Sequence, residues 1–271
     1  MLSYIYTPFE KNYNALPGQQ FTADHPMIPC VLVAGYMAFC YFGQKYWMAN
    51  RPAFDLKTPL AYWNLFLSTF SFMGMFRTVP HLLHNLHTRT LEENLCTPAQ
   101  ISFGDGAVGL WVQLFIFSKI PELVDTFFIV ARKKNLIFLH WYHHVTVLLF
   151  CWHSYATESS TGLFFVAMNY SVHAIMYGYY FLMAVNLKPA WLPPAFITMA
   201  QISQMVVGTT LCVLTAHQLY KGNSTCAVKK ENVLAGCLMY GSYLYLFCEF
   251  AVKRFIIAPR RKAAAKKAKA L

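Results

Sequence analysis

The sequence predicts an all-α membrane protein, with seven transmembrane helices in one domain, and three observations carry that reading. Hydrophobic residues make up 57% of the chain and charged residues only 12%, a balance foreign to ordinary soluble domains. Seven apolar stretches reach the roughly 20 residues that a membrane-spanning helix needs. The basic residues gather in alternate connections and at the C-terminus instead of spreading over helix faces.

Taken in order, residues 1–26 are polar and aromatic and lack a basic region followed by an apolar core. No cleavable signal peptide is read there, so the first apolar segment, 27–47, is expected to act as its own targeting signal. The second segment, 60–86, follows Pro52 and Pro59, and the third, 107–131, follows Pro98. Segments 136–156 and 161–186 come next; Pro189, Pro193 and Pro194 surround the start of 191–219, and 232–257 precedes a basic tail, 258–271. Prolines in the connections are what helix ends require, because proline cannot donate to the helical ladder. No repeat, low-complexity tract or long linker divides the chain, which is expected to be one domain over 1–271 with a lumenal segment at 1–26.

The net charge of +11 does not mark a nucleic-acid partner, because eight of the 22 Lys and Arg lie between Lys253 and Lys269 as a tail after the last apolar segment. Such a tail suits a bilayer surface. With seven helices, the connections on the side of the tail hold Lys45, Arg51, Lys57, Arg132, Lys133, Lys134 and Lys188, whereas the opposite side has Lys11, Arg89, Lys221, Lys229 and Lys230. The positive-inside rule then places the C-terminus in the cytoplasm and the N-terminus in a lumen. Cys96 and Cys226 both fall in polar connections on the lumenal side, where a disulfide between them can persist; the other cysteines sit in apolar segments as small hydrophobes. The sequon Asn223-Ser224-Thr225 falls on that side too. Lys267 and Lys269, near the end of the tail, resemble the dilysine signal that returns membrane proteins to the endoplasmic reticulum.

Against this apolar background the polar residues stand out. His140, His143 and His144 are spaced i, i+3, i+4 and share one helix face; ionisable groups at membrane depth are functional candidates by default. Lys119, Glu122 and Asp125 form a second stripe, interrupted by Pro121, which removes a backbone donor. A third stripe is Asn169, His173, Met176, Tyr177 and Tyr180, and a fourth is Thr198, Gln201 and Gln204. Each has a structural alternative, a buried ion pair or interhelical hydrogen bonding. Arg77 has no evident partner in its own segment. His81, His84 and His87 drift around their helix and read as interfacial histidines.

Two chemistries use such a histidine cluster. A metal centre of the membrane di-iron kind needs more histidines than one box supplies, so no metal is expected. Imidazole also serves as base, acid or covalent nucleophile near neutral pH, and no Ser or Cys sits in a recognisable nucleophile motif.

The set Lys119-x-x-Glu122-x-x-Asp125-Thr126, His140-x-x-His143-His144, Asn169-x-x-x-His173-x-x-Met176-Tyr177-x-Tyr179-Tyr180 and Thr198-x-x-Gln201-x-x-Gln204 resembles, in order and spacing, the signature of the very-long-chain fatty acid elongases, the ELO family, from about Asp55 to Phe255. The resemblance implies a barrel of helices 2–7 around a tunnel open to the cytoplasm, in the endoplasmic reticulum membrane. It implies a 3-ketoacyl-CoA synthase that condenses acyl-CoA with malonyl-CoA as co-substrates, with no further cofactor. His143 is the expected nucleophile, with His140, His144 and His173 orienting it or moving protons. Asn169, Gln201 and Gln204 are expected to hold oxyanions. Lys119, Glu122, Asp125, Tyr177 and Tyr180 are also expected in the substrate site, with Arg132, Lys133 and Lys134 at the CoA phosphates. Asn135, five residues before His140, favours saturated or monounsaturated chains over polyunsaturated ones, the nearest alternative; a histidine-box oxygenase, a transporter and a receptor are the others. Other enzymes of the elongation cycle and a second copy of the chain are the expected protein partners.

Overall fold

The computed structural model describes residues 6–222 and 226–259, and among them every regular element is helical. Two short helices, α1 (Pro8–Lys11) and α2 (Leu16–Asp24), precede α3 (Met27–Phe42), which continues through a π-turn to Trp47. Then come α4 (Lys57–Thr88), the short α5 (Leu91–Cys96) and α6 (Ala99–Ser102), α7 (Gly106–Ser118), α8 (Val124–Ala131), α9 (Phe138–Ala156), α10 (Gly162–Ala184), α11 (Pro194–Tyr220) and α12 (Lys230–Ala251), the last extended by a π-turn to Ile257. Three helices are long and apolar enough to cross a membrane by themselves: Met27–Trp47, Pro194–Tyr220 and Lys230–Ile257. The chain is a membrane protein; α4, α9 and α10 carry Asn, His or Arg side chains that dilute their apolar character.

One expected helix is not continuous. The stretch 107–131 breaks between Ser118 and Val124, with a 3₁₀ turn at Pro121–Leu123. Proline lacks the amide that would bond back into the preceding turn, and Lys119 and Glu122, both buried, turn their side chains toward each other there. α8 ends at Ala131, and Lys133, at φ 50°, reverses the chain in the left-handed region. Phe54 N–H bonds to Ala131 O at 3.0 Å and Lys133 Nζ to Ala49 O at 3.2 Å, so the segment after α3 holds this corner.

The most extensive helix pair is α4 with α10. Gly74 lets them close: a Cβ there would come within 2.4 Å of the Tyr170 ring, which is 1% exposed. Small residues of this kind allow helix axes to approach where lipid offers no hydrophobic drive for association. α11 and α12 pair similarly, with Tyr240 seated against Gly208.

Cys96 and Cys226 form the expected disulfide, joining α5 to the approach to α12. Ser160, between α9 and α10, bonds Leu95 O, so three connections meet at this end of the bundle. The sequon at Asn223 and the dilysine-like Lys267 and Lys269 lie outside the described residues.

The N-terminal segment is docked on this same end. Thr7 and Glu10 build a capping box around α1, and the same Glu10 carboxylate, buried, accepts Arg77 Nε and Trp111 Nε1, each at 2.9 Å. Arg77 therefore has its partner, and also sits over the Tyr6 ring. Trp152 Nε1 donates to Thr22 O at 2.9 Å, tying α2 to α9.

Burial alone raises the Glu10 carboxyl, but the hydrogen bonds from Arg77, Trp111 and the Thr7 amide outweigh it and hold the group at about 2. A depressed carboxylate stabilises the fold fully above its unfolded value, about 4.3, and the effect is lost as pH falls toward the folded value. Glu10→Gln is expected to lower stability by about 3 kcal/mol at pH 7 by leaving Arg77 unpaired. Thermal unfolding in detergent should show that difference from wild type narrowing as the pH is taken below about 4.

Candidate active site

The break between α7 and α8, the N-terminal half of α9 and the facing stretches of α10 and α11 enclose one cavity of about 570 Å³. His140, His143 and His144 enter from α9, Asn169, His173, Tyr177 and Tyr180 from α10, Gln201 and Gln204 from α11, and Glu122 and Asp125 from the break and α8. Helical periodicity explains each group: i, i+3, i+4 on α9 and i, i+4, i+8, i+11 on α10 keep those side chains on one face. Leu60, Met205, Phe247 and Phe250 supply apolar wall, and Arg132 and Lys134 stand at the corner between α8 and α9, the end away from the disulfide.

Inside, the polar groups are bonded to one another. Lys119 Nζ donates to Glu122 Oε1 at 2.7 Å and to Asn169 Oδ1 at 3.4 Å. Ser118 Oγ also donates to Glu122 Oε1, at 2.9 Å. The ammonium is a donor only, so it sets which way the Asn169 amide faces; Asn169 Nδ2 then meets His173 Nε2 at 3.2 Å. An amide nitrogen cannot accept, so Nε2 of His173 accepts and its proton lies on Nδ1. Asp125 accepts Trp63 Nε1 at 2.6 Å and Tyr177 OH at 2.7 Å, joining α4, α8 and α10 through one carboxylate. Thr126 Oγ1 lies 2.9 Å from His140 Nε2 and 2.8 Å from Tyr36 OH of α3.

The histidine box itself is compact. The His140 and His144 rings are 4.5 Å apart and those of His143 and His144 5.6 Å. The Tyr243 ring of α12 stands 5.1 Å from that of His143, and its hydroxyl donates to His143 O at 3.2 Å. Gln201 Nε2 approaches Met176 Sδ at 3.3 Å.

Two residues expected in the site do not line the cavity. Lys119 is 2% exposed and lies behind the cavity wall, its charge spent on Glu122 and Asn169. Lys133 is exposed and bonds Ala49 O instead of lining the cavity, because the left-handed turn at this residue carries its side chain away from Arg132 and Lys134. His81 bonds Ser102 O at 2.7 Å, far from the box in the fold. Conversely, Tyr36, Trp63 and Tyr243, which were not singled out, stand behind the cavity wall against His144, Asp125 and His143. They are aromatic residues among many in apolar helices, and no spacing distinguishes them; only the approach of other helices gives their polar atoms a partner.

Among the described residues no three His, Cys, Asp or Glu side chains converge as a metal-ligand set. The cavity combines apolar walls with several imidazoles, side-chain amides and a cationic rim. The class is thus an all-helical membrane protein with a histidine-lined internal cavity.

The chain belongs to the ELO family, described as GNS1/SUR4, whose pattern it matches over residues 21–264. It is 40% identical to very long chain fatty acid elongase 6 of Mus musculus over 92% of both chains. It is 42% identical to very long chain fatty acid elongase 6 of Drosophila melanogaster over 82% of this chain and 70% of that protein. With very long chain fatty acid elongase 4 of Trypanosoma cruzi (strain CL Brener) it shares 41% identity over 87% of this chain and 81% of the other.

Asp125→Asn places an amide N–H against one of two donors, Trp63 or Tyr177. The expected loss is about 1–3 kcal/mol, read as a lowered melting temperature in detergent. Trp63→Phe, which leaves the Tyr177 bond in place, should lose less.

Proposed function

We propose that the protein is a fatty acid elongase of the endoplasmic reticulum membrane that condenses a long-chain acyl-CoA with malonyl-CoA, yielding 3-ketoacyl-CoA, carbon dioxide and CoA. The observation that carries this is the meeting of His140, His143, His144 and His173 with Asn169, Gln201 and Gln204 in one cavity rimmed by Arg132 and Lys134. The names of the related elongases support the substrate class. We assign seven transmembrane helices, with α4 and α7 through α12 as the walls of the tunnel, the N-terminus in the lumen and the C-terminus in the cytoplasm. In that orientation the cationic rim faces the compartment that supplies CoA esters, and the disulfide faces the oxidising one.

A nitrogen of the His143 imidazole attacks the thioester carbonyl; the C–S bond breaks, the thiolate takes up the imidazole proton and leaves as CoA. Malonyl-CoA then loses carbon dioxide, and the enolate carbon attacks the acyl-imidazole carbonyl. The C–N bond breaks, the released His143 nitrogen takes up a proton from solvent by way of a neighbouring imidazole, and 3-ketoacyl-CoA departs, lengthened by two carbons. Amide donors of Asn169, Gln201 and Gln204 hold the oxyanions of these steps, and the apolar walls keep water from the acyl-imidazole. His173, its proton on Nδ1, serves as a proton donor or orienting group across the cavity. Arg132 and Lys134 attract the phosphates of CoA. Lys119 contributes from behind the wall by orienting Asn169. No cofactor beyond the two CoA esters is required. Asn135 supports a preference for saturated or monounsaturated chains. Elongation-cycle enzymes and a second copy of the chain are the proposed partners in the bilayer.

Intact-mass measurement of the purified protein with palmitoyl-CoA alone should show an added acyl group. The adduct should be absent from His143→Ala and discharged by malonyl-CoA. Product formation by a folded His143→Ala protein at the wild-type rate would remove His143 from the role of nucleophile.

A further inference from the structure

α3 stands beside the helices that line the cavity and contributes no side chain to its wall, yet one of its residues is bonded into the histidine box. Tyr36, 5% exposed, places its hydroxyl 2.8 Å from Thr126 Oγ1, and Thr126, fully buried, places the same oxygen 2.9 Å from His140 Nε2. Other threonines of this fold, Thr78 and Thr215 among them, return their hydroxyl proton to a carbonyl one turn back in their own helix. Thr126 spans between helices instead. Its single proton can serve only one neighbour, so the chain of three groups has a sense.

We propose that Tyr36 is a positioning residue for His140, through a hydroxyl chain in which Tyr36 donates to Thr126 and Thr126 donates to Nε2. The opposite sense would leave the phenolic proton without an oxygen acceptor in an apolar setting, where the neighbouring Cys40 offers only a weakly accepting sulfur. With Nε2 accepting, the ring proton of His140 lies on Nδ1. His140 then turns an N–H donor away from Thr126, while its ring lies 4.5 Å from that of His144. Its Nε2 lone pair is occupied, which keeps His140 from competing as nucleophile with His143. This inference rests on the elongase reading for its catalytic consequence, although the hydroxyl chain itself does not.

The test pairs kinetics with nitrogen-15 NMR of the histidine rings in lipid nanodiscs, His140 being assigned by comparison with His140→Gln. Tyr36→Phe keeps the ring and its packing; kcat with palmitoyl-CoA and malonyl-CoA should fall roughly ten-fold with KM unchanged. Thr126→Val should fall further and Thr126→Ser should restore most of the rate. Wild-type His140 should be protonated on Nδ1, and Tyr36→Phe should shift it toward a tautomer mixture. A wild-type kcat in folded Tyr36→Phe, or a wild-type His140 carrying its proton on Nε2, overturns the inference. A wild-type protein that shows the Nδ1 tautomer and its shift in Tyr36→Phe but forms no condensation product retains the hydroxyl chain and removes the elongase reading.

Discussion

An ionisable side chain inside an apolar helical bundle is tolerated only when another group of the protein takes the place of water. In this chain that requirement governs where helices break and which faces meet. Lys119 and Glu122 sit where the apolar stretch 107–131 is interrupted, and the break lets them face each other and Asn169. Asp125, three residues after Glu122 in the first turn of α8, draws Trp63 from α4 and Tyr177 from α10. These pairings tie α8 to α4 and α10 through polar contacts. Polar stripes of several helices face the cavity, and Glu122, Asp125, Asn169 and Tyr177 both line it and are hydrogen-bonded within the protein.

The opposite end of the bundle meets the same requirement by different means. Glu10 brings the N-terminal segment onto Arg77 and Trp111, while Trp152 and Tyr155 of α9 bond backbone carbonyls of α2 and its approach. The disulfide and the Ser160 bond to Leu95 O gather the remaining connections. Between this capped end and the histidine box lies a packed cluster that includes Trp111, Phe115, Cys151 and Tyr170. The two ends thus differ in kind, one sealed by hydrogen bonds and a covalent link and the other bearing Arg132 and Lys134.

Helix positions were legible from hydropathy because burial in lipid demands long apolar runs: 27–47, 136–156 and 191–219 agree with Met27–Trp47, Phe138–Ala156 and Pro194–Tyr220 to within a few residues. The third segment was not, since composition alone does not say whether Pro121 kinks a helix or ends it. The polar stripes of α9, α10 and α11 were legible from spacing, because a helix converts spacing into a shared face. Lys119 and Lys133 are absent from the cavity lining for opposite reasons. Lys119 found a partner one turn on that withdrew it from the cavity, and Lys133 was turned outward by its left-handed backbone.

By itself, then, the sequence determined an all-helical membrane chain, the faces of its helices, the pair of cysteines able to bridge, and the family to which the motifs belong. All of these follow from local periodicity and residue chemistry. Tertiary structure alone decided that Glu10 completes Arg77, that Trp63 and Tyr177 share Asp125, that Lys119 stands behind the wall, and that Tyr36 reaches His140 through Thr126. The reason is physical: Glu10 and Arg77 are 67 residues apart and Tyr36 and Thr126 90. No spacing rule connects positions that only helix packing brings within 3 Å, and a hydrogen bond demands that distance.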